Sequence, residues 1–397
     1  MSAFLVACWL AGGVLALLGC AWTLYLLRRP QPQPATEPPV LVVVPVRGAV
    51  GLPRFLEGLA AQDWPGFRVA FAVESEADPA VPLLRAALPG RSRLVVAGPA
   101  GQRGQKVQNL LAALPALRPE DAALVTLDAD TAPPPGMLRA LLRPVLTGQA
   151  EIASGYRWTL AAPSSGWIAG WAAQSLALIE ACIGALPRCA ACNLCWGGAT
   201  AIRADALARL DLPRLWDRAL SDDLTLTRAA RRLGMVIYAP LMVRPPGEVS
   251  GDAATSLAFG IRQYRLLRLH LPWAWALAGL AAWLPVLGVG AALLGGHWAA
   301  FPVALGLQAG RGWLRRRLAA LVLPPAAAAR VPAWQPWLAP PAALLHLAAW
   351  LGSARGREIA WAGRHYALDA AGDVTRIAPE PAAETGPARP PAPLTPP

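Results

Sequence analysis

The sequence predicts an α/β fold, a doubly wound and mostly parallel sheet, preceded by an N-terminal transmembrane helix and followed by C-terminal membrane helices. Short β-branched runs alternate with helical segments over residues 40–270, a pattern typical of parallel sheets. Apolar stretches long enough to cross a bilayer core of roughly 30 Å lie on both sides of this region. The 397 residues are 55% hydrophobic, which is too apolar for an ordinary soluble enzyme.

Residues 1–29 are predicted to be a transmembrane anchor. Residues 4–27 carry no charge, and Arg28 and Arg29 follow them directly. A cleaved signal peptide would instead have its positive charge before a shorter apolar core. Because basic flanks stay on the cytoplasmic side, the domain after the anchor is expected in the cytoplasm. The proline-rich linker 30–39 is expected to be extended.

Strands and helices are predicted to alternate through the central domain, residues 40–270. The strand predictions are the runs LVVVPV, RVAFAVES, SRLVVAG, AALVTLDAD, the first half of WGGATAIRADAL, and MVIYAP. Helices are predicted near residues 52–61, 82–88, 106–117 and 164–188, in the second half of WGGATAIRADAL, and after Ser221, a suitable N-cap.

The C-terminal region, residues 271–354, is predicted to contain membrane and interfacial helices. Four apolar stretches occur there, at residues 272–294, 299–310, 318–329 and 334–352. The first is long enough to span a bilayer and the second is shorter. The last two contain proline pairs, which interrupt helices, so interfacial or re-entrant helices are expected. Residues 355–378 are predicted to be a cytoplasmic segment and residues 379–397 a disordered tail.

The net charge of +12 is almost entirely arginine, since Lys106 is the one lysine of the sequence. The arginines cluster at the ends of apolar segments, which favours a membrane protein over a nucleic-acid-binding one. Arg311–Arg317 is expected to be a cytoplasmic loop for the same reason.

Three cysteines, Cys189, Cys192 and Cys195, are spaced as C-x-x-C-x-x-C. This spacing can ligate zinc or an iron–sulfur cluster. No second cysteine cluster or nearby histidine completes a ligand set in the sequence. Buried, reduced thiols are therefore the favoured interpretation, with a cluster as the alternative.

Acidic residues occur in three clusters at predicted strand ends or at a helix start: Glu74, the pair Asp128 and Asp130, and the pair Asp222 and Asp223. Open α/β sheets bind ligands at the carboxyl ends of their strands, so these carboxylates are expected to converge. Residues two apart on a strand face the same side, so the D-A-D pair can hold a hard divalent cation and the diphosphate it bridges. The alternative for this pair is a turn cap.

The acid Asp223 begins a predicted helix, where the helix dipole stabilises its ionised form and leaves it available as a general base. The alternative is an ordinary acid in a first helical turn. Lys106 and Asn109 open another predicted helix just after a strand end. Both are candidates to contact phosphate or sugar hydroxyls.

These residues, in this order, resemble the family 2 glycosyltransferases, especially the membrane-bound branch similar to ceramide glucosyltransferases. The resemblance covers about residues 38–270 and, more loosely, GREIAWAGRHYAL, which is similar to the W-x-G-x-x-Y ending of that branch at Trp361, Gly363 and Tyr366. It implies a GT-A type fold for the central domain.

The resemblance also implies roles for the acidic and polar residues. It places Glu74 as the first nucleotide-contacting acid, and Lys106 and Asn109 in a G-x-K-x-x-N-L segment of the donor site. Asp128 is implied to contact the nucleotide and Asp130 to bind a metal ion. Asp223 is implied to be the catalytic base, with Asp222 in place of the usual Glu. A divalent cation, Mg²⁺ or Mn²⁺, is therefore the expected cofactor.

The final motif departs from the family pattern Q/R-x-x-R-W. Arg262 and Arg265 occupy its polar positions, but Leu266 stands where the pattern has Trp. Gln263 and Arg268 lie close by and are expected to help hold the diphosphate or the acceptor. The segment SGYRW and the WGG segment that begins with Trp196 are expected to line the acceptor side.

The resemblance implies an inverting, metal-assisted transfer of a sugar from a UDP-sugar to a membrane lipid hydroxyl. The predicted location is a bacterial-type inner membrane, in a multi-pass protein whose catalytic domain is cytoplasmic. A processive polysaccharide synthase of the same superfamily is the rival enzyme, weakened by the missing Trp and the few clean spans. A non-catalytic membrane scaffold is the rival of another class.

Overall fold

The computed structural model describes residues 1–162, 167–183, 192–249, 252–332 and 334–379. Within them, twelve strands are formed: β1 (Val40–Pro45), β2 (Phe67–Val73), β3 (Ser92–Val96), β4 (Ala123–Leu127), β5 (Ile152–Ser154), β6 (Trp158–Ala161), β7 (Ala199–Arg203), β8 (Ile237–Tyr238), β9 (Pro246–Val249), β10 (Glu358–Trp361), β11 (Arg364–Leu368) and β12 (Val374–Pro379).

The central sheet of the described residues has seven strands in the order β3-β2-β1-β4-β7-β5-β8. Its first four strands are parallel, as is the β5–β8 pair. Strand β7 runs antiparallel between β4 and β5. The predicted mixed α/β class with a parallel-dominated sheet is therefore confirmed.

Strand β1 shows why this sheet is buried on both faces. Val40, Val42 and Val44 pack into one hydrophobic core, and Leu41 and Val43 pack into a second one on the opposite face. Because successive side chains of a strand point to opposite faces, a continuous apolar run needs a core on each side. Helices cover both faces and leave the carboxyl ends of the strands open.

Fourteen α-helices occur in the described residues: α1 (Ser2–Leu27), α2 (Leu52–Ala60), α3 (Val81–Ala86), α4 (Gln105–Ala113), α5 (Met137–Leu146), α6 (Trp167–Ile183), α7 (Ala204–Leu210), α8 (Leu212–Leu215), α9 (Asp222–Arg232), α10 (Ala253–His270), α11 (Pro272–Leu294), α12 (Ala300–Val322), α13 (Pro325–Ala329) and α14 (Ala339–Ser353). Helix α9 begins as predicted, because the Ser221 hydroxyl accepts a hydrogen bond from the Leu224 N–H (3.2 Å).

Helices α1 and α11 are the two described helices that are long and apolar enough to cross a membrane. They pack along each other, and α1 also packs against α12. Much of the α1 surface stays apolar and exposed, as at Phe4 and Leu15. The additional membrane helices predicted for the C-terminal region stay a prediction.

The prediction of a loop at Arg311–Arg317 is wrong. These residues belong to α12, which runs unbroken through the stretch that was predicted to be a short segment followed by a loop. The one proline of this helix, Pro302, lies in its first turn, where a missing N–H costs little. Arg315 packs inside the protein, with its guanidinium over Trp158 (4.4 Å) and hydrogen-bonded to Gln335 (2.9 Å).

The proline pairs mark helix boundaries rather than breaks within a helix. Pro324 follows the end of α12 and Pro325 opens α13. Pro340 and Pro341 lie in the first turn of α14, a position that tolerates proline.

The predicted cytoplasmic segment 355–378 folds into a three-stranded antiparallel sheet, β10-β11-β12. A tight turn with left-handed backbone at Ala362 and Gly363 joins β10 to β11. Ile359 and Tyr366 pack from this sheet onto Leu220 and Leu266. The small sheet is thereby fixed to the central domain and to α10.

The cysteine run lies partly outside the described residues, which do not include Cys189 or the predicted tail after Pro379. Cys195 is buried in the second core, and burial raises the pKa of its thiol to about 12. Cys192 is exposed.

Candidate active site

A crevice of about 250 Å³ opens at the carboxyl ends of the parallel strands. It is enclosed by the ends of β1 and β4, the start of α4 and the β10–β11 turn. Its polar lining residues are Arg47, Gln105, Lys106, Asn109, Asp128, Asp130, Arg364 and Tyr366. Six of the residues that line it were predicted from the sequence as site residues or as part of the C-terminal motif, as expected for an open α/β sheet: Lys106, Asn109, Asp128, Asp130, Trp361 and Tyr366.

Lys106 lies between two of the predicted acids. Its Nζ is 2.8 Å from Asp128 Oδ1 and 3.2 Å from Asp222 Oδ1. Burial alone lowers the pKa of Lys106, but the charges of Asp128, Asp222 and Asp223 outweigh it and raise that pKa well above its usual range. Lys106 is therefore a permanent cation that joins the second and third acidic clusters.

Asp222 is almost fully buried beside Lys106. Burial raises the pKa of its carboxyl to about 6, with Lys106 opposing the rise and the neighbouring Asp223 and Asp128 adding to it. Its position against Lys106 leaves it inaccessible to a bulky acceptor.

Asp130 follows Asp128 at the end of β4. Burial and the like charge of Asp128 raise the pKa of the Asp130 carboxyl, while Arg157 and Lys106 oppose the rise. Two carboxylates that repel each other at a strand end are hard oxygen ligands, which suit Mg²⁺ or Mn²⁺. No group of three or more His, Cys, Asp or Glu side chains that could enclose a metal is found in the described part of the chain. The donor set therefore fits a cation that takes its remaining ligands from a diphosphate and water.

Asp223 is half-buried and is held by three donors. Its Oδ1 accepts from the Leu224 N–H (2.7 Å) and from the Ser221 hydroxyl, and its Oδ2 accepts from the Gly197 N–H (3.1 Å). Each carboxylate oxygen has two lone pairs. One lone pair of Oδ2 thus stays available for a hydroxyl proton, in an orientation fixed by the backbone.

The glycine at position 197 lets the WGG segment approach this cluster closely. A Cβ there would lie 2.3 Å from Lys106 Nζ and 2.6 Å from Asp222 Oδ2. The side chain of Trp196 is half-buried against the first core, and the backbone N–H of Trp196 donates to Ser154 Oγ (2.7 Å). Part of the Trp196 side chain is thus used in packing.

Glu74 is paired with an arginine that the sequence analysis missed. Arg364 Nη2 lies 2.5 Å from Glu74 Oε1, and its Nη1 donates to Gln105 Oε1 (2.7 Å). Arg47 donates to the carbonyl of Ala362 in the same turn. The small C-terminal sheet therefore closes one end of the crevice, and the arginine inside the W-x-G-x-x-Y segment was the available signal for it.

Asn109 supports the crevice wall rather than facing a ligand freely. Its Nδ2 donates to the Ala72 carbonyl (3.1 Å), and its Oδ1 accepts from Gln105 Nε2 (2.9 Å). It thereby ties α4 to the carboxyl end of β2 and positions Gln105 toward Arg364.

The arginines of α10 divide into two groups. Arg262 lies over the rings of Phe259 (5.1 Å) and Trp361 (5.5 Å), next to the crevice lining. Burial and the charge of Arg157 lower the pKa of Arg262. Two cations so close together favour an anionic ligand between them and the aspartates.

Arg265 and Arg268 bind carbonyl groups at the end of α14 and after it. Arg265 donates to Gly352 (3.2 Å) and Glu358 (2.7 Å). Arg268 donates to Ser353 (2.9 Å) and to Gly356. These bonds join α10 to the C-terminal sheet, so the two arginines position that sheet.

Gln263 is exposed, and Leu266 is buried under the C-terminal sheet. The side chain that replaces the pattern's Trp therefore serves as packing for β10–β12.

Comparison with known proteins gives one family match. The family model described as Glycosyl transferase family 21 matches residues 7–374. None of the curated proteins matches the chain.

Several solved structures are similar in fold. A mannosyltransferase from Pyrobaculum calidifontis, PcManGT in complex with GDP-Man and Mn²⁺, is 20% identical with a TM-score of 0.47, over 88% of this chain and 97% of that one. TarS from S. aureus is 13% identical with a TM-score of 0.37, over 83% of this chain and 96% of that one. Because both TM-scores are below 0.5, the family match alone carries the assignment.

Proposed function

The chain belongs to glycosyl transferase family 21, and on that premise we propose that it moves a sugar from a UDP-sugar to the hydroxyl of a membrane lipid at the cytoplasmic face. The observation that carries the proposal is that Lys106, Asp128 and Asp130 line one crevice, with Asp222 buried against Lys106 and Asp223 next to it in the first turn of α9. This set supplies charge for a diphosphate and a base for a hydroxyl, the two requirements of sugar transfer from a nucleotide.

The donor's uracil is proposed to bind at the Glu74 end of the crevice. Arg364 occupies Glu74 Oε1 and leaves Oε2 for the uracil N3–H, while the guanidinium can donate to a uracil carbonyl. Cytosine has an acceptor at N3, so the same arrangement disfavours it. Asp128 and Lys106 would then lie beside the ribose and the phosphates.

The leaving diphosphate is proposed to lie between the D-A-D pair and the arginines. Asp130, with Asp128, would hold a divalent cation, which offsets negative charge on the departing UDP. Arg262 and Arg157 are close to this position and supply fixed positive charge without reorganisation.

The chemical step is proposed to be a single inverting displacement. The lipid hydroxyl oxygen attacks the anomeric carbon, the bond from that carbon to the diphosphate oxygen breaks, and the hydroxyl proton passes to Asp223 Oδ2. Asp223 suits this role because backbone donors fix its orientation and one lone pair is free. Asp222 would act with Lys106 to set the electrostatics around it.

The acceptor is proposed to arrive from the membrane. Helices α1 and α11 would place the bilayer beside the central domain. Helix α6 begins with Trp167 and Ile168, whose side chains are exposed and suit a membrane interface. Arg28 and Arg29 after α1 support a cytoplasmic orientation of the domain.

Replacing the proposed base separates transfer from donor binding. Asp223→Asn is expected to lower transfer at least about a hundredfold, the usual scale for general-base catalysis, while UDP affinity stays within about threefold. Asp205→Asn is the matched control, since Asp205 also lies in the first turn of a helix but is exposed and paired with Arg203. Turnover of Asp223→Asn near that of the control, or loss of its UDP binding, would exclude Asp223 as base.

A further inference from the structure

A second cavity of about 610 Å³ lies where the N-terminal anchor meets the central domain. We call it the anchor groove and define it by Leu26, Gln31, Met137, Arg143, Met242 and Leu323 among its lining residues. It shares no lining residue with the crevice described above. Its walls come from the end of α1, from α5, from the loop after β8 and from the end of α12.

Most of the residues that line the groove are apolar, and its charged residues are positive. Among the residues that the structure describes, its charged lining residues are Arg139 and Arg143, and no carboxylate lines it. Arg139 is neutralised by Asp63 and Glu37, which both form ion pairs with it. Arg143 differs, because the only hydrogen bond of its side chain within the described residues is from Nη1 to Gln31 Oε1 (2.6 Å).

Arg143 is only 8% exposed. Burying a guanidinium that has one neutral hydrogen-bond partner costs free energy unless an anion binds its remaining N–H donors. A guanidinium presents its donors in a fork that matches two oxygens of one phosphate. Arg143 lines the groove, so its guanidinium is placed to bind a phosphate-like anion there.

The leucines in the walls of the groove are suited to contact with an acyl chain. Leu26 and Leu27 end the helix proposed as the membrane anchor, and Leu321, in the last turn of α12, and Leu323, just after it, line the same cavity. The groove thus lies at the level where the bilayer surface would meet the domain, with the apolar side chains continuing the anchor's surface. Headgroup depth is also where a lipid phosphate is found.

We propose that the anchor groove binds one anionic phospholipid, with its phosphate on Arg143 and an acyl chain along Leu27, Leu321 and Met242. The bound lipid would fix the angle between α1 and the central domain. This site is separate from the crevice, and it depends on the proposed membrane anchor but not on sugar transfer.

The test uses the full-length protein, freed of lipid in neutral detergent. Dihexanoyl phosphatidylglycerol, dihexanoyl glycerol and inorganic phosphate are added separately, and the rise in Tm is followed as a function of concentration. The variants are Arg143→Gln, Arg143→Lys, and Arg85→Gln as an exposed-arginine control.

The expected result is saturable stabilisation of the wild type and of Arg85→Gln by phosphatidylglycerol, with at least about tenfold weaker binding to Arg143→Gln, the scale of a lost charge-assisted hydrogen bond. Arg143→Lys keeps the charge and should recover part of this loss. Equal binding to Arg143→Gln, equal potency of dihexanoyl glycerol, or equal potency of inorganic phosphate would each overturn the proposal.

A photoreactive phosphatidylglycerol gives an independent readout on the wild type should Arg143→Gln fail to fold. Its acyl-chain label is expected on the peptide containing Leu321 and Leu323, and excess dihexanoyl phosphatidylglycerol should remove that label. The proposal would also be overturned if this peptide carried no label, or if excess dihexanoyl phosphatidylglycerol left its labelling unchanged.

Discussion

Asp222→Asn is predicted to change how the stability of the protein depends on pH. The pKa of the buried Asp222 carboxyl is raised from its ordinary value of 3.8 to about 6. The folded protein therefore binds a proton between these values that the unfolded chain does not bind. Stability from this group is greatest at low pH and is lost as pH rises through about 6, since the charged form is then buried.

The size of the effect follows from the shift. Two pKa units correspond to about 3 kcal/mol. The free energy of unfolding of the wild type, relative to Asp222→Asn, is thus expected to fall by about 2.4 kcal/mol between pH 4 and pH 7.5, since the first part of the loss lies below pH 4. The asparagine variant cannot titrate at this position, so the difference between the two proteins isolates the carboxyl.

The assay is equilibrium urea unfolding in detergent, followed by tryptophan fluorescence, with a chelator present and no nucleotide. Asp205→Asn is the control, because the exposed Asp205 has its pKa lowered by Arg203 and should not show this gain toward acid pH. If the difference in free energy of unfolding between wild type and Asp222→Asn stays constant over this pH range, Asp222 does not titrate with a raised pKa in the folded protein.

Three further predictions address the rest of the site. Arg364→Met should weaken UDP binding about tenfold or more, because it removes charge-assisted hydrogen bonds to Glu74 and Gln105. Calorimetry measures the UDP affinity, with Arg376→Met at an exposed arginine as the control, and an unchanged affinity of Arg364→Met would contradict the prediction. Asp130→Ala should abolish the metal-dependent part of UDP affinity, so titration with and without Mn²⁺ should give the same Kd, and a preserved metal dependence would rule out the D-A-D site. A reporter fused after residue 250 should fluoresce as a cytoplasmic protein and be inactive as a periplasmic phosphatase, and the opposite pattern would reverse the proposed orientation.

The local parts of the fold and site followed from the sequence. Strand β1 was predictable because its valines leave no polar face, and the N-cap at Ser221 because its hydroxyl precedes two acids and an apolar turn. The glycosyltransferase assignment is confirmed, and the predicted ceramide glucosyltransferase-like branch fits family 21. Asp128 and Asp130 both line the crevice, but they lie in the turn after β4 and Ala129 between them lines it too, so the alternation of strand residues is not the reason.

Long-range pairings could not be predicted from the sequence. Arg364 and Glu74 are separated by 290 positions, and no periodicity links a strand end to a distant hairpin. The continuity of α12 through Arg311–Arg317 was missed because the arginines were interpreted as a charged loop that sets the topology. No proline separates them from the apolar residues before them, and the helix tolerates Gly310 and Gly312. The positions of Arg265 and Arg268 likewise depend on carbonyls of α14 and the loop after it, which only the folded chain brings near.

The most direct test of the central claim is the product formed by the full-length protein in lipid vesicles. With radiolabelled UDP-sugars and Mn²⁺ or Mg²⁺, we expect a chloroform-soluble product whose mass is that of a membrane lipid plus one sugar. Its glycosidic bond should have the anomeric configuration opposite to that of the donor, and chelation should stop its formation. A water-soluble polymer, a retained configuration, or no labelled lipid with any UDP-sugar would contradict the account.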